Sequence, residues 1–223
     1  MFVYRPGCIH GAHSIVRLRL EQLAAERGGR PVFAGISADV GAGTLLRVLG
    51  ANGAGKTTLL RIIAGLGAAS AGSVRWTQGE AATVVECCAA EAASFVGHAS
   101  AFNDALTVAE NLSYAAALAG LDGSANAVRR ALGKLGVDAL GNRRFGSLSQ
   151  GQRKRVSLAR LLLRSQRGER AWLLDEPFVA LDADTQAQLA SLISEKLAAG
   201  AIVALTSHQA VAITAPNTQE IAL

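Results

Sequence analysis

Gly50-Ala51-Asn52-Gly53-Ala54-Gly55-Lys56-Thr57 carries the pattern G-x-x-x-x-G-K-[ST]. Glycines at these places let the backbone curl until its N–H groups face inward, which makes a cradle for anionic oxygens. The loop follows an apolar run and opens a segment of helical spacing. A helix N-terminus adds unpaired N–H groups and a positive dipole end. Lys56 brings a point charge toward the β- and γ-phosphates. Thr57 and Thr58 put hydroxyls at the helix start, with the Thr57 hydroxyl placed for Mg²⁺. The loop predicts ATP as ligand, with Mg²⁺ as its companion.

A second group of residues adds reactivity. Ala171-Trp172-Leu173-Leu174-Asp175 is an apolar run that ends in an acid, and Glu176-Pro177 follows at once. An acid at the end of a buried strand can serve Mg²⁺ directly or through water, so Asp175 joins Thr57 as a metal residue. Glu176 stands one residue further, toward the γ-phosphate, where it orients or deprotonates an attacking water. Hydrolysis is the expected reaction.

Leu148-Ser149-Gln150-Gly151-Gln152 precedes Arg153 and another helix-like segment. Ser149 suits an N-cap, and Gln152 lies three residues on, as in a capping box. An exposed helix N-terminus with a serine and a glycine also binds phosphate, so both roles stand. Further on come Ala180-Leu181-Asp182 and His208. Taken alone, His208 reads as an ordinary loop histidine.

These residues need strands and helices to hold them. Residues 14–20, 31–40 and 44–49 read as strands, and residues 56–66 as a helix with Leu59, Leu60, Ile62, Ile63 and Leu66 on one side. Short strands are expected at 73–78, 82–87 and from 95. Residues 107–119 and 124–135 are Ala- and Leu-rich helical segments, the heart of a helical subdomain spanning about 100–160. A helix over 149–167, a strand at 171–175, a helix at 185–198 and a strand at 202–206 complete the pattern. Strands alternating with helices predict an α/β fold, a mostly parallel sheet covered by helices. Residues 1–13 read as a flexible N-terminal arm, and 14–223 as a single domain.

Composition narrows the class. The chain has 223 residues and a formal net charge of +5, which favours a polyanion or an acidic membrane face without choosing between them. Cys8, Cys87 and Cys88 lack Cys-x-x-Cys spacing, so zinc, haem attachment and thioredoxin-like chemistry have no support. No stretch approaches the ~18 apolar residues of a spanning helix, and the start has no signal-peptide pattern. The series Arg153, Lys154, Arg155, Arg160, Arg164, Arg167 and Arg170 leaves a solvated face and a membrane-side docking face both open.

The motifs in this order resemble those of ATP-binding cassette (ABC) ATPases, over residues 14 to about 212. The resemblance implies a phosphate-loop NTPase fold with an N-terminal antiparallel β part. It implies that Leu148–Gln152 is the signature motif, facing a nucleotide held by the loop of a second copy. Ser149, Gly151 and Gln152 then meet the partner's γ-phosphate, and Asp182 belongs to a loop lining the seam between copies. His208 becomes the switch histidine at the γ-phosphate. Gln150 stands where the family usually has glycine, at a position that varies.

Three stretches resemble one family within that class. They are Val96-Gly97-His98 with Leu106–Leu112, Asp175–Asp182, and Thr206-Ser207-His208-Gln209. With the short length, they are similar to the ATP-binding subunit of the cytochrome c biogenesis haem exporter. That likeness implies two copies joined to integral membrane subunits, at the cytoplasmic face of the bacterial inner membrane. Hydrolysis there serves transfer of haem onto a periplasmic chaperone and release of the loaded chaperone. No nucleic acid is expected as partner.

The chain departs from the pattern twice. The glutamine that ABC ATPases place after the strand near residue 96 is Ala99 here, which puts hydrolysis rate or coupling in question; His98 is adjacent. The aromatic that stacks on adenine is missing from Arg27-Gly28-Gly29-Arg30, where Arg27 either stacks through its planar head or is a solvated turn residue. Rival readings are an ATPase of another ABC transporter and a weakly hydrolysing ATP-dependent dimerisation module. A cassette acting on DNA or ribosomes is weaker, since it calls for a long insert or paired cassettes.

Overall fold

The computed structural model of the chain describes residues 16–79, 85–98, 100–164, 170–207 and 211–223. β1 (Val16–Arg27) and β2 (Arg30–Val40) form an antiparallel hairpin. Gly28 and Gly29 supply the positive φ of its two-residue turn, at 59° and 73°. The strand expected over 14–20 runs on to Arg27. Its apolar alternation slips between Leu20 and Leu23, where Gln22 has φ 47° and the register with both neighbours shifts. A β-bulge therefore hides the continuation from a period-2 reading. Gly72 in β4 (Ala71–Gln78) lies against that bulge, where a Cβ would come within 2.4 Å of the Gln22 carbonyl oxygen. β5 (Val85–Cys87) completes an antiparallel sheet of order β2-β1-β4-β5.

The second sheet is parallel, of order β6-β7-β8-β3-β9. Its strands are β3 (Thr44–Leu49), β6 (Ala93–Val96), β7 (Ala171–Asp175), β8 (Ile202–Thr206) and β9 (Asn217–Ala222). β7 and β8 are buried along their whole length, which explains their unbroken apolar runs. One core cluster joins Leu46, Val48, Leu59 and Ile63 to the antiparallel sheet; another joins Leu45, Trp172 and Leu174 to the helices opposite.

Among the described residues, six α-helices accompany the sheets: α1 (Lys56–Ile63), α2 (Ala89–Ala92), α3 (Val108–Leu118), α4 (Ala125–Gly133), α5 (Gln150–Arg164) and α6 (Ala183–Ala198). α1 stops at Ile63, short of the expected Leu66. The amides of Gly65 and Leu66 fold back onto the carbonyls of Ile62 and Arg61, and Gly65 takes φ 70°. α3 begins with a capping box in which Thr107 and Glu110 each accept from the other's backbone N–H. α3, α4 and α5 pack together around Val108, Leu112, Val128, Leu132 and Phe145. The strand expected from 82 starts at Val85 within the described residues, and the arm over 1–13 lies outside them. β9 and α2 were not legible from the pattern.

Candidate active site

β3, β7 and β8 run parallel and end on one edge, so the loops that leave them meet there. Open α/β sheets place ligands at this edge. Gly50–Thr57 leaves β3, and Gly50, Gly53 and Gly55 take φ 148°, 83° and 103°. Gly55 is also sterically obligatory, since a Cβ there would lie 2.4 Å from Val32 Cγ1 of β2. The antiparallel hairpin thus buttresses the loop. Lys56 is buried, and its Nζ donates to the carbonyls of Gly50 at 2.7 Å and Ala51 at 3.0 Å. The ammonium is folded over its own loop, and the loop carbonyls take the place of phosphate oxygens.

The Thr57 hydroxyl donates to Asp175 Oδ2 at 2.8 Å. Asp175 is buried, and its Oδ1 accepts from Thr206 Oγ1 at 2.9 Å. The Thr206 hydroxyl in turn accepts the N–H of Glu176 at 2.8 Å. These contacts join β3's helix, β7 and β8 at one carboxylate. Thr57 Oγ1 and Asp175 Oδ2 are adjacent hard oxygens, a pair that fits Mg²⁺ with phosphates and water completing its shell. Glu176 stands just beyond with φ 47°, a conformation that costs a non-glycine residue energy and collects at functional sites.

α5 approaches the same turn from the side. Lys154 Nζ donates to the Asp175 carbonyl at 3.3 Å. Burial pushes the Lys154 ammonium below the usual lysine range, and the attraction of Asp175, then Glu176, opposes that shift. Ser149 and Gln152 form the expected capping box: Gln152 N donates to Ser149 Oγ at 3.3 Å, and Ser149 N to Gln152 Oε1 at 3.1 Å. Ser149 is exposed and Gln152 half-buried. Gly151 fits closely against the loop after β7, because a Cβ on it would lie 2.7 Å from the Ala180 carbonyl oxygen. Asp182 caps α6, accepting from Thr185 N at 2.9 Å, and forms an ion pair with Arg155. The Thr185 hydrogen bonds, with Arg155 beyond them, hold the Asp182 carboxyl below its usual range.

The geometry brings Gly50–Thr58, Asp175 and Glu176 to one place, with Ser149, Gly151, Gln152 and Asp182 on a neighbouring surface. His208 and Ala99 lie outside the described residues. His98 is exposed and lines a cleft of about 310 Å³ with Ser100, Gln150, Lys154 and Ala180. Arg27 is exposed at the hairpin tip. Three contributors escaped the sequence reading: Thr206, Lys154 and Arg155. For Thr206 a signal existed, a hydroxyl ending an otherwise apolar strand.

A groove of about 400 Å³ opens elsewhere, between β6, α3, α5 and the turn after α1. Phe95, Phe102, Tyr114, Leu118 and Leu66 line it. Tyr114, Leu118 and Leu66 are 63%, 73% and 55% exposed, an unusual outlay of large apolar side chains. Among the described residues, no helix is long and apolar enough to cross a membrane.

A parallel sheet with a phosphate loop after an interior strand, an acid pair at the end of β7 and a capped Ser-Gln-Gly-Gln helix start define a cassette-type ATPase. The ABC transporter family model matches residues 33–179. The chain is 44% identical over 196 residues to the cytochrome c biogenesis ATP-binding export protein CcmA of Aromatoleum aromaticum, covering 88% of this chain and 90% of that protein. Its counterpart in Cupriavidus pinatubonensis is 41% identical, covering 86% of this chain and 83% of that protein. A solved Pyrococcus furiosus structure, described as the ATP-binding protein of an ABC transporter, superposes with TM-score 0.73 at 25% identity, covering 92% of this chain and 96% of that one. The chain belongs to the ABC transporter family and, within it, to the cytochrome c biogenesis ATP-binding export proteins.

Proposed function

We propose that two copies of this chain bind and hydrolyse ATP on integral membrane subunits, and that this hydrolysis drives haem export or release of the haem-loaded chaperone in cytochrome c biogenesis. The observation that carries the reading is the Asp175 carboxylate, which holds Thr57 on one oxygen and Thr206 on the other, with Glu176 directly after it. Residues 14–223 act as one nucleotide-binding unit with a helical subdomain at about 100–160. The unit sits peripherally, at the cytoplasmic face of the inner membrane, through its membrane subunits.

In this reading the N–H groups of Gly50–Thr58 cradle the phosphates, and Lys56 leaves the Gly50 and Ala51 carbonyls for phosphate oxygens. Thr57 and Asp175 would hold Mg²⁺, which would supply positive charge against that developing on the phosphates. Glu176 takes the proton of the attacking water, and His208 orients the γ-phosphate. Ser149, Gly151 and Gln152 of the second copy close the site and exclude water, with Asp182 at the seam. The apolar groove around Tyr114 and Leu118 is the surface for the membrane subunit.

The test is restoration of holo-cytochrome c in a bacterium lacking its own ATP-binding subunit, with this chain supplied together with its membrane partners. Restoration by the unaltered chain and none by Glu176→Gln supports the proposal. Intact ATP turnover without restoration assigns the chain to another transporter. Ala99 supports a second reading, a module that closes on ATP and barely hydrolyses it. Negligible phosphate release by the full membrane complex favours that reading, and a rise on Ala99→Gln ties it to this position.

A further inference from the structure

The peptide unit between Asp175 and Glu176 is held at both polar ends. Its carbonyl accepts from Lys154 Nζ at 3.3 Å, and its N–H donates to Thr206 Oγ1 at 2.8 Å. Glu176 sits at φ 47° immediately after this unit. Positive φ in a residue with a Cβ persists where the surroundings over-determine it, and a peptide plane fixed at both ends is such a surrounding. Thr206 holds one end from within the sheet. Lys154 holds the other from α5, the helix whose start carries Ser149 and Gly151.

α5 meets the loop after β7 at two further points. Gly151 abuts the Ala180 carbonyl, and Arg155 pairs with Asp182. Ala180 also has positive φ, at 65°. The stretch from Asp175 to Asp182 is thus shaped by α5 of its own copy, not by the strand ends alone. A lysine is well suited to the first contact. Its flexible stem reaches past the helix surface, and its ammonium complements a turn carrying two carboxylates.

We infer that Lys154 is a positioning residue for Glu176: by holding the Asp175 carbonyl it sets the direction in which the Glu176 carboxylate leaves the turn. The inference rests on Glu176 being the water-activating carboxylate. It also gives the signature helix a physical route to the reacting water of its own copy. A shift of α5, when Ser149 and Gly151 meet the partner's nucleotide, is felt at the Asp175–Glu176 peptide.

The test compares the unaltered membrane complex with Lys154→Met, which keeps the stem and removes the ammonium, and Lys154→Arg, which restores a cationic donor. Turnover is followed against ATP concentration, and affinity by a fluorescent ATP analogue. Lys154→Met is expected to lower kcat about tenfold with KM and affinity within about twofold, because orientation is lost and binding is not. Lys154→Arg is expected to stay within about threefold of the unaltered kcat. Unchanged kcat in Lys154→Met overturns the inference, and so does an equal loss in both variants. If Lys154→Met does not assemble, Lys154→Arg alone decides, with a tenfold loss counting against. Glu176→Gln runs beside them: intact turnover there defeats the reading of Glu176, whereas its loss beside an unaffected Lys154→Met defeats only the role of Lys154.

Discussion

Thr57 and Asp175, 118 residues apart in the chain, meet in a hydrogen bond of 2.8 Å. The threonine belongs to the phosphate loop and the acid to the end of β7, with β8 lying between β3 and β7 in the sheet. Their contact brings the two halves of the reactive centre within one copy to the same point. Asp175 spends its other oxygen on Thr206, so its orientation is fixed before any ligand arrives.

Thr206→Val tests that fixation. The hydroxyl is buried and serves both Asp175 Oδ1 and the Glu176 N–H. An apolar isostere strips both of their partner, at a cost of about 1–3 kcal/mol in unfolding free energy. Urea unfolding measures this loss, and turnover falls with it. Thr206→Ser, which keeps the hydroxyl, is expected to lose much less.

Gly55→Ala addresses the buttress from β2. The new methyl would press on Val32 at a φ of 103°, where L side chains are strained. Backbone strain of this sort costs of order 1–3 kcal/mol, and the loop relieves it by opening. ATP affinity is therefore expected to drop sharply, while far-UV circular dichroism stays near that of the unaltered chain.

Glu110 governs part of the acid limb of stability. Hydrogen bonds from the Thr107 backbone N–H, and next from its hydroxyl, hold the Glu110 carboxyl below the usual glutamate range. A carboxyl lowered in the folded state contributes stability above its unfolded value, and the contribution disappears as pH falls through the folded value. Stability of the unaltered chain should thus decline as pH drops below about 4.3, the ordinary glutamate value. Glu110→Gln is expected to flatten that decline and to lower stability at neutral pH, as read from denaturant titrations at several pH values.

Tyr114→Glu and Leu118→Glu probe the groove. Both side chains are largely exposed, so folding tolerates the change. ATP affinity should remain within about twofold, because none of Gly50–Thr58 lines the groove. Co-purification with the membrane subunits is expected to fail. Recovery of a stoichiometric complex would show that the subunits dock elsewhere.

Much of this centre was legible in the residues. The spacing of Gly50–Thr57 fixed the loop, and the apolar run before Asp175 marked a buried strand. Ser149 and Gln152 announced their cap. β9 escaped because Asn217–Ala222 is largely exposed and polar; the strand is held by backbone pairing with β3, and pairing leaves no trace in side-chain period. Lys154 escaped for a similar reason. In a run of Arg153-Lys154-Arg155 every charge looks solvated, and only the packing of α5 on the turn and loop after β7 gives Lys154 and Arg155 their partners there.

ATP turnover by the purified membrane complex, with Glu176→Gln beside the unaltered chain and nucleotide affinity measured on both, decides whether Glu176 activates the attacking water. Glu176→Gln is expected to lose at least about a hundredfold in kcat with ATP affinity preserved, because general-base catalysis contributes on that scale. Turnover in Glu176→Gln close to that of the unaltered complex would contradict that role, since the carboxylate after Asp175 would then have no part in activating water.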